Sequence, residues 1–428
     1  MKTLSQLNLL KTGIILILFL FVNTATAFSQ NVKDEQIVYQ YIKLPLNPLS
    51  FTPKNYQASI FATFEAENAK LQAAYEAELA AAEAEYQTAM AAYPGQVQDA
   101  KLAYEKALAE WNEKSLAEKV VEKQVLNENN KPVEYIPSPP YKRSVAQPKL
   151  QTSYDYPVIA DTYLQLGGYD KKPQEAVLIQ VTIYGYDYTQ PRQMTAQKNV
   201  TSIVNGQSST RSVTYYHVEF SYRHPMSVLV LSPDGKELFN ATPQELNVYQ
   251  VYKSDDSEKP LDINSELLVK TKEEALFQNN LIFINDLVND MFGFAPTNRE
   301  AKLYYIKSKD DTYKDLLIAF NDANSGLKLL VNDKQAASAK LETAITAWNA
   351  ALAESDPTNK KARIDKDITI AICFNLLECY FATGNTEKAD GIFTLLNGLS
   401  LSYGERQIKD AFENVYNDLK KRKLANTN

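Results

Sequence analysis

From about Phe64 the chain changes style abruptly, and no other feature restricts its fold so tightly. FEAENAKLQAAYEAELAAAEAEYQTAMAAY is dense in Ala and Glu, both strong helix formers. Pro94-Gly95 punctuates the run, and QVQDAKLAYEKALAEWNEKSLAEKVVEKQVL resumes it. Two long helices joined by a Pro-Gly turn predict a helical hairpin over residues 65–126. At ~1.5 Å per residue, each ~30-residue arm would reach ~45 Å.

The seam of that hairpin can be read directly. Leu71, Tyr75, Leu79, Ala82, Tyr86, Met90 and Tyr93 form one apolar stripe, spaced as an eleven-residue repeat with little supercoil. Val97, Ala100, Tyr104, Ala107 and Trp111 form the facing one. Two readings are open. The hairpin buries its own seam as a coiled coil, or the stripes face outward and grip a partner, with Tyr86 and Trp111 as candidate contacts.

Destination is written at the N-terminus. Lys2 and Lys11 precede the apolar run Gly13 to Val22, and Ala25-Thr26-Ala27 follows it. These are the three regions of a secretory signal peptide, here residues 1–27, and the run is half the length a spanning helix needs. The mature chain is then expected in the periplasm or outside the cell, with no transmembrane segment left after cleavage. Removing Lys2 and Lys11 takes the net charge from −7 to −9. An acidic chain without a basic stripe is a poor nucleic-acid binder.

Two cysteines, Cys373 and Cys379, lie six apart in a helical segment, so they do not face one another. An exported chain without structural disulfides fits a bacterial envelope. The two histidines, His217 and His224, are seven apart in a strand-like segment and read as surface or rim residues.

Around the helical stretch the chain alternates in kind. Residues 28–64 carry short strands, too few to bury a core alone, and are assigned to the β module that follows. The hairpin is then an insertion between two β segments. Residues 127–153 contain Pro132, Pro137, Pro139, Pro140 and Pro148 and read as an extended, semi-rigid linker. Residues 154–260 hold runs of β-branched and aromatic residues broken by turn signals such as Ser232-Pro233-Asp234-Gly235, the pattern of a β-sandwich-like module. From Thr271 the pattern is helical to residue 425, with Thr271-x-x-Glu274 and Thr297-x-x-Glu300 as capping-box candidates.

Within that last region, CFNLLECYFATGNTEKADGIFTLL (373–396) resembles a tetratricopeptide repeat. The family's pattern falls on Leu376, Leu377, Tyr380, Gly384, Ala389 and Phe393. Gly384 would end the first helix, Ala389 would admit the second closely, and Phe393 would fill the space between them. Ala344, Trp348, Ala351 and Leu352 look like the second helix of a preceding, degenerate repeat. The resemblance covers about residues 340–397, and about three repeats are normally needed for stability. It implies either a protein- or peptide-binding surface or a structural cap.

No GxGxxG, Walker loop, GxSxG, HExxH or EF-hand loop occurs, and no catalytic, cofactor-binding or metal-binding residue is nominated. One aromatic signal stands out. Along 177–188, Val177, Ile179, Val181 and Ile183 alternate with Thr182, Tyr184, Tyr186 and Tyr188. If the first set is core, three tyrosines line the other face, unless Gly185 is a bulge that switches them. The fold expected is α+β: a β-sandwich-like module with an antiparallel helical hairpin insertion, then an all-α tetratricopeptide-like domain. The function expected is a non-enzymatic envelope scaffold binding a protein or peptide. The alternative is a secreted glycan-binding module using the tyrosine face.

Overall fold

A computed structural model describes residues 32–124, 131–204, 207–308 and 311–427; residues 1–27, expected from the sequence to be a signal peptide, lie outside them. The elements are β1 (Val32–Ile42), β2 (Asn55–Ala62), α1 (Glu65–Glu113), α2 (Leu116–Gln124), α3 (Tyr156–Tyr163), β3 (Asp170–Lys171), β4 (Ala176–Ile183) and β5 (Asp187–Tyr188). There follow β6 (Arg192–Val204), β7 (Gln207–Arg223), β8 (Met226–Leu231), β9 (Glu237–Ala241), α4 (Gln244–Asn247), β10 (Gln250–Lys253), α5 (Ser265–Phe292) and β11 (Pro296–Ile306). The chain closes with α6 (Lys314–Leu329), α7 (Lys334–Leu352), α8 (Lys366–Thr383), α9 (Thr386–Asn397) and α10 (Tyr403–Ala425). The class is α+β, and the chain divides into two compact units. One comprises Met1–Phe61, Asp155–Ile183 and Tyr188–Asn428; the other comprises Ala62–Tyr154 and Tyr184–Asp187.

In the larger unit the β-rich region forms two open sheets, ordered β3-β2-β4-β8-β9 and β10-β7-β5 with β6 on β7. Strict alternation along β4 and β8 buries Val177, Ile179, Val181 and Ile183 beside Met226, Val228 and Val230. Helix α5 adds Phe277 against the His224 ring at 5.4 Å and Phe292 against Phe239 at 6.2 Å. The N-terminal strands part company: β2 joins the sheet beside β4, whereas β1 pairs antiparallel with β11.

That β1–β11 ribbon corrects the expectation of an all-α C-terminal region. Thr297 and Glu300 lie on β11 rather than at a helix start, and Thr271 lies inside α5, whose cap is Asn264 accepting from Leu267 N–H at 2.9 Å. Ile37, Tyr39, Leu303 and Ile306 of the ribbon share one core with α6 to α10. Helix α8 is the centre of it, buried on every side from Ile368 to Phe381. Ala344, Trp348, Leu376, Tyr380, Ala389 and Phe393 are all buried there. Gly384 ends α8 in the left-handed region at φ 69°, its N–H bonding to Phe381 O while Asn385 N–H returns to Tyr380 O at 2.8 Å. Cys373 and Cys379 are free and buried. Burial pushes the Cys373 thiol up to about 12, which suits an inert core thiol.

Both histidines are buried, against the surface placement expected. Burial depresses His224 from 6.5 to about 4, so the fold holds it neutral. The unfolded chain takes up the proton first. The His224 contribution is therefore complete above about pH 6.5 and is lost as pH falls toward 4, by about 3 kcal/mol. Urea midpoints measured between pH 7 and 4 should show this slope, and His224→Phe should flatten it. An unchanged slope in that variant would assign the acid sensitivity elsewhere.

Candidate functional site

The smaller unit holds the most unusual segment of the chain. Residues 65–113 are one continuous helix of 49 residues, not a hairpin. Pro94 sits inside it, although an interior proline removes a hydrogen bond and crowds the carbonyl four residues back. The sequence explains why no turn forms. The step from Tyr93 to Val97 is four residues, so the two stripes read as facing one another are one stripe continuing in phase along one helix. Tyr86 and Trp111 are thus 25 positions apart on the same helix, roughly 37 Å, rather than on opposed arms.

What lies along that stripe is the proline-rich segment. It is no linker between bodies; it returns antiparallel to α1 as a strap. Tyr93 Oη donates to Pro137 O at 3.0 Å; Lys142 meets Glu83 at 2.6 Å; Arg143 meets Glu85 at 3.1 Å. Asn68 Nδ2 donates to Gln151 O at 2.8 Å, and Ser153 Oγ donates to Glu65. Residues 93 to 65 of a helix cover ~42 Å, and residues 137 to 153 could span up to ~50 Å if extended as polyproline, so the strap is long enough to follow that stretch of α1. The half-buried positions of the strap include Pro132, Pro137, Pro140 and Pro148. From the Tyr93–Pro137 contact, ~9 Å of strap reaches Pro140 while ~10 Å of helix reaches Tyr86.

The cover is partial. Ala82 is the one fully buried residue of α1. On the strap Val133, Tyr135 and Tyr141 are 86%, 74% and 87% exposed, and on α1 and α2 Met90, Leu102, Leu116 and Val120 are also exposed. Trp111 is half-buried, with the Lys119 ammonium 4.5 Å and the Lys131 ammonium 5.8 Å from its ring centre.

The three-tyrosine face does not form. Strand β4 ends at Ile183, and Gly185 takes φ 98°, breaking the alternation. Tyr184 is 49% exposed, Tyr186 is 4% exposed and Tyr188 is half-buried. The Gln151 side chain bonds to both peptide groups of Tyr186, accepting its N–H at 2.8 Å and donating to its carbonyl at 3.3 Å. A Cβ on residue 185 would stand 3.1 Å from Gln151 Cδ and Oε1. Gly185→Ala should therefore combine backbone strain with a clash and loosen the strap end, costing on the order of 1–3 kcal/mol. Faster amide exchange across residues 145–153 would register it; unchanged exchange there would remove Gln151 as the anchor.

A second constellation, in the larger unit, was not nominated from the sequence. Glu378, 1% exposed, accepts from Arg299 Nε at 2.6 Å and Nη2 at 2.8 Å, and from the Tyr39 hydroxyl. Arg299 also stacks over Phe381 at 4.4 Å. Burial opposes its charge, yet the Glu378 carboxylate outweighs that and holds the guanidinium above its ordinary range. Burial, then the Glu378 charge, raises Tyr39 well above the usual phenol value. An acidic residue in the apolar run ITIAICFNLLECYFA was the available signal. A bidentate pair of this kind fixes the orientation of the three elements that it joins.

On β7, His217 Nδ1 lies 3.3 Å from Asp256 Oδ1, and Asp256 pairs with Lys198. Among the described residues no group of three or more His, Cys, Asp and Glu side chains is placed to hold a metal ion, and no helix is long and apolar enough to cross a membrane. No protein-family model, no curated protein and no solved structure matches this chain.

Proposed function

We propose that this chain is an exported, non-enzymatic component of the cell envelope that binds another protein, acting as an interaction or scaffold protein. The observation that carries the reading is the strapped helix. The 49-residue helix has a single fully buried residue and leaves Met90 and Leu102 exposed, and the strap beside it exposes Val133, Tyr135 and Tyr141. Apolar and aromatic side chains gathered on one such element suit a surface that meets a partner. The tetratricopeptide-like reading of residues 340–397 supports the same role, because repeats of that kind usually hold peptides or other proteins. Export rests on the Lys2–Ala27 segment of the sequence. The glycan alternative drew on three aligned tyrosines, and with Tyr186 buried it loses that platform.

Photo-crosslinking tests the reading on the intact protein. A photoreactive residue at Tyr135, Tyr141 or Leu102, introduced in the living source cell, should yield a discrete adduct with one protein. The same residue at exposed Lys334 on α7 should not. Absence of adducts at all three strapped-helix positions, together with glycan binding abolished by Tyr184→Ala, would reverse the order of the two readings.

A further inference from the structure

Strands β6 and β7 run together well past the sheet they belong to. Strand β10 pairs with β7 only over Glu219–Tyr222, and Ser257 meets Tyr216 in one further bridge on that side. Beyond it the two strands form a ribbon in which residues 197–203 and 207–212 are exposed, Val200 alone being half-buried; Ile203 is 75% exposed. A two-stranded ribbon is marginal in water, and further strands are what stabilise it.

Tyr216 reveals which peptide groups face the open side of β6. Its N–H bonds to Ser257 O at 2.7 Å and its carbonyl accepts the Ser257 N–H at 2.9 Å, so both turn away from β6. Opposed residues of an antiparallel ladder behave alike, and the register from Arg192↔Glu219 to Val204↔Gln207 is unbroken. Thr195, opposite Tyr216, therefore points its N–H and carbonyl away from β7, as do Gln197, Asn199, Thr201 and Ile203. Among the described residues no strand lies on that side of β6. At its root Leu261 N–H bonds to Gln193 Oε1 at 2.8 Å, so the open run begins at Thr195.

Exposed edges are ordinarily blunted by prolines, bulges or free charges. The open run of β6 has no proline and no bulge, and its one charge, Lys198, is tied to Asp256 of the same chain. A charged strand would find no counter-ion on such an edge, whereas a second copy meets no like-charge repulsion. The outer edge of β7 is the poorer one, because Arg211 stands exposed there with no ion pair among the described residues. The midpoint of the open run is Asn199. Two β6 strands related by a two-fold axis at that residue pair Asn199 with its copy, Gln197 with Thr201 and Thr195 with Ile203. Every open group is then used, in about ten hydrogen bonds, as many as a typical interface carries. Lys198 comes to stand opposite Val200; an axis at residue 198 would instead set the two Lys198 side chains against each other.

We infer that the open edge of β6 is a self-association surface, through which two copies of this chain pair antiparallel over residues 195–203 with Asn199 on the two-fold axis. Pairing through the same edge on both copies closes as a dimer and leaves neither β6 open. The contact adds no pocket, so the dimer belongs to the weak, reversible class. No residue of the strapped helix takes part, and the dimer is independent of the role proposed for that helix.

Sedimentation equilibrium of the full chain at up to about 1 mM should show a reversible monomer–dimer equilibrium. Thr201→Pro removes an N–H that points away from β7, so the β6–β7 ladder keeps its bonds. The two-fold makes that loss count twice, and association should weaken at least about tenfold. Cysteine trapping reads the register. Asn199→Cys sets two thiols at the ~5.5 Å Cα separation of a hydrogen-bonded pair, within disulfide range, and should give a covalent dimer under mild oxidation. Gln197→Cys, ~13 Å along the strand from its copy, and Thr210→Cys, on β7, should not. Cys373 and Cys379 are buried and stay out of the reaction. Three results would overturn the inference: a chain still monomeric at about 1 mM, a dimer that a folded Thr201→Pro variant leaves unchanged, or Asn199→Cys crosslinking no faster than Gln197→Cys. Should Thr201→Pro fail to fold, the cysteine variants decide alone.

Discussion

Glu378→Ala is expected to lower stability by about 3–5 kcal/mol, because it strands the Arg299 guanidinium in the core without its carboxylate. The size follows from what the carboxylate holds together. It accepts two bonds from Arg299 on β11 and one from Tyr39 on β1, and it stands on the helix at the centre of the core. Once it is gone, a charged donor array and a phenol hydroxyl are left facing apolar rings at Phe381 and Phe412. Glu378→Gln should cost less, since it keeps an acceptor while losing the charge. The informative variant is the double one. Replacing Arg299 by Met and Glu378 by Leu removes both charges and should recover most of the loss. Urea unfolding of the four proteins closes a mutant cycle, and a double variant as unstable as Glu378→Ala would mean that packing, not the stranded charge, sets the cost.

That cluster also shows where the sequence falls silent. Helix α8 is legible as a helix from its length, its Asp365 cap and the Gly384 stop, and its burial follows from the apolar run. Nothing local says that Glu378 meets Arg299, because the two are 79 residues apart and are brought together by β11 crossing under α8. Strand β11 itself reads as helical start chemistry, with Thr297 and Glu300 at capping spacing. Its pairing with β1, more than 250 residues earlier, overrides that local signal. Non-local pairing is the information a propensity window does not carry.

The strapped helix fails in a different way. The stripe that the sequence marks is half-buried or buried except at Met90, and what misleads is one dipeptide. Pro94-Gly95 is a strong turn signal in isolation, yet the spacing across it keeps the same face, and a helix that stays in phase can be served by one strap. Reading phase across the breaker, rather than the breaker alone, separates a continuous helix from a hairpin. The tyrosine run turned on Gly185, the one residue able to take φ 98° without strain, and the alternation stopped there.

The second large effect is expected at Trp348, and the two tryptophans of the chain make it readable. Trp348 is 1% exposed on α7, with Leu341, Ala344 and Ala351 on the same buried face. Truncation to alanine removes the largest fully buried side chain of the protein and opens a cavity that the packed α6–α8 layers can only partly fill, costing about 3–5 kcal/mol. Trp111→Ala, at a half-buried site on α1 in the other compact unit, should leave that transition within about 0.5 kcal/mol, because substitutions outside a packed core rarely do more. Each tryptophan lies in a different compact unit. In Trp111→Phe the fluorescence reports Trp348 and the helical core, and in Trp348→Phe it reports Trp111 and the strapped helix. If the strapped helix holds by its seam alone, Trp111 fluorescence should change at lower urea than Trp348 fluorescence, giving two transitions instead of one. Coincident transitions, or a Trp111→Ala cost equal to that of Trp348→Ala, would mean that α1 is coupled to the core. The exposed apolar rows of the strap would then need a structural explanation in place of a binding one.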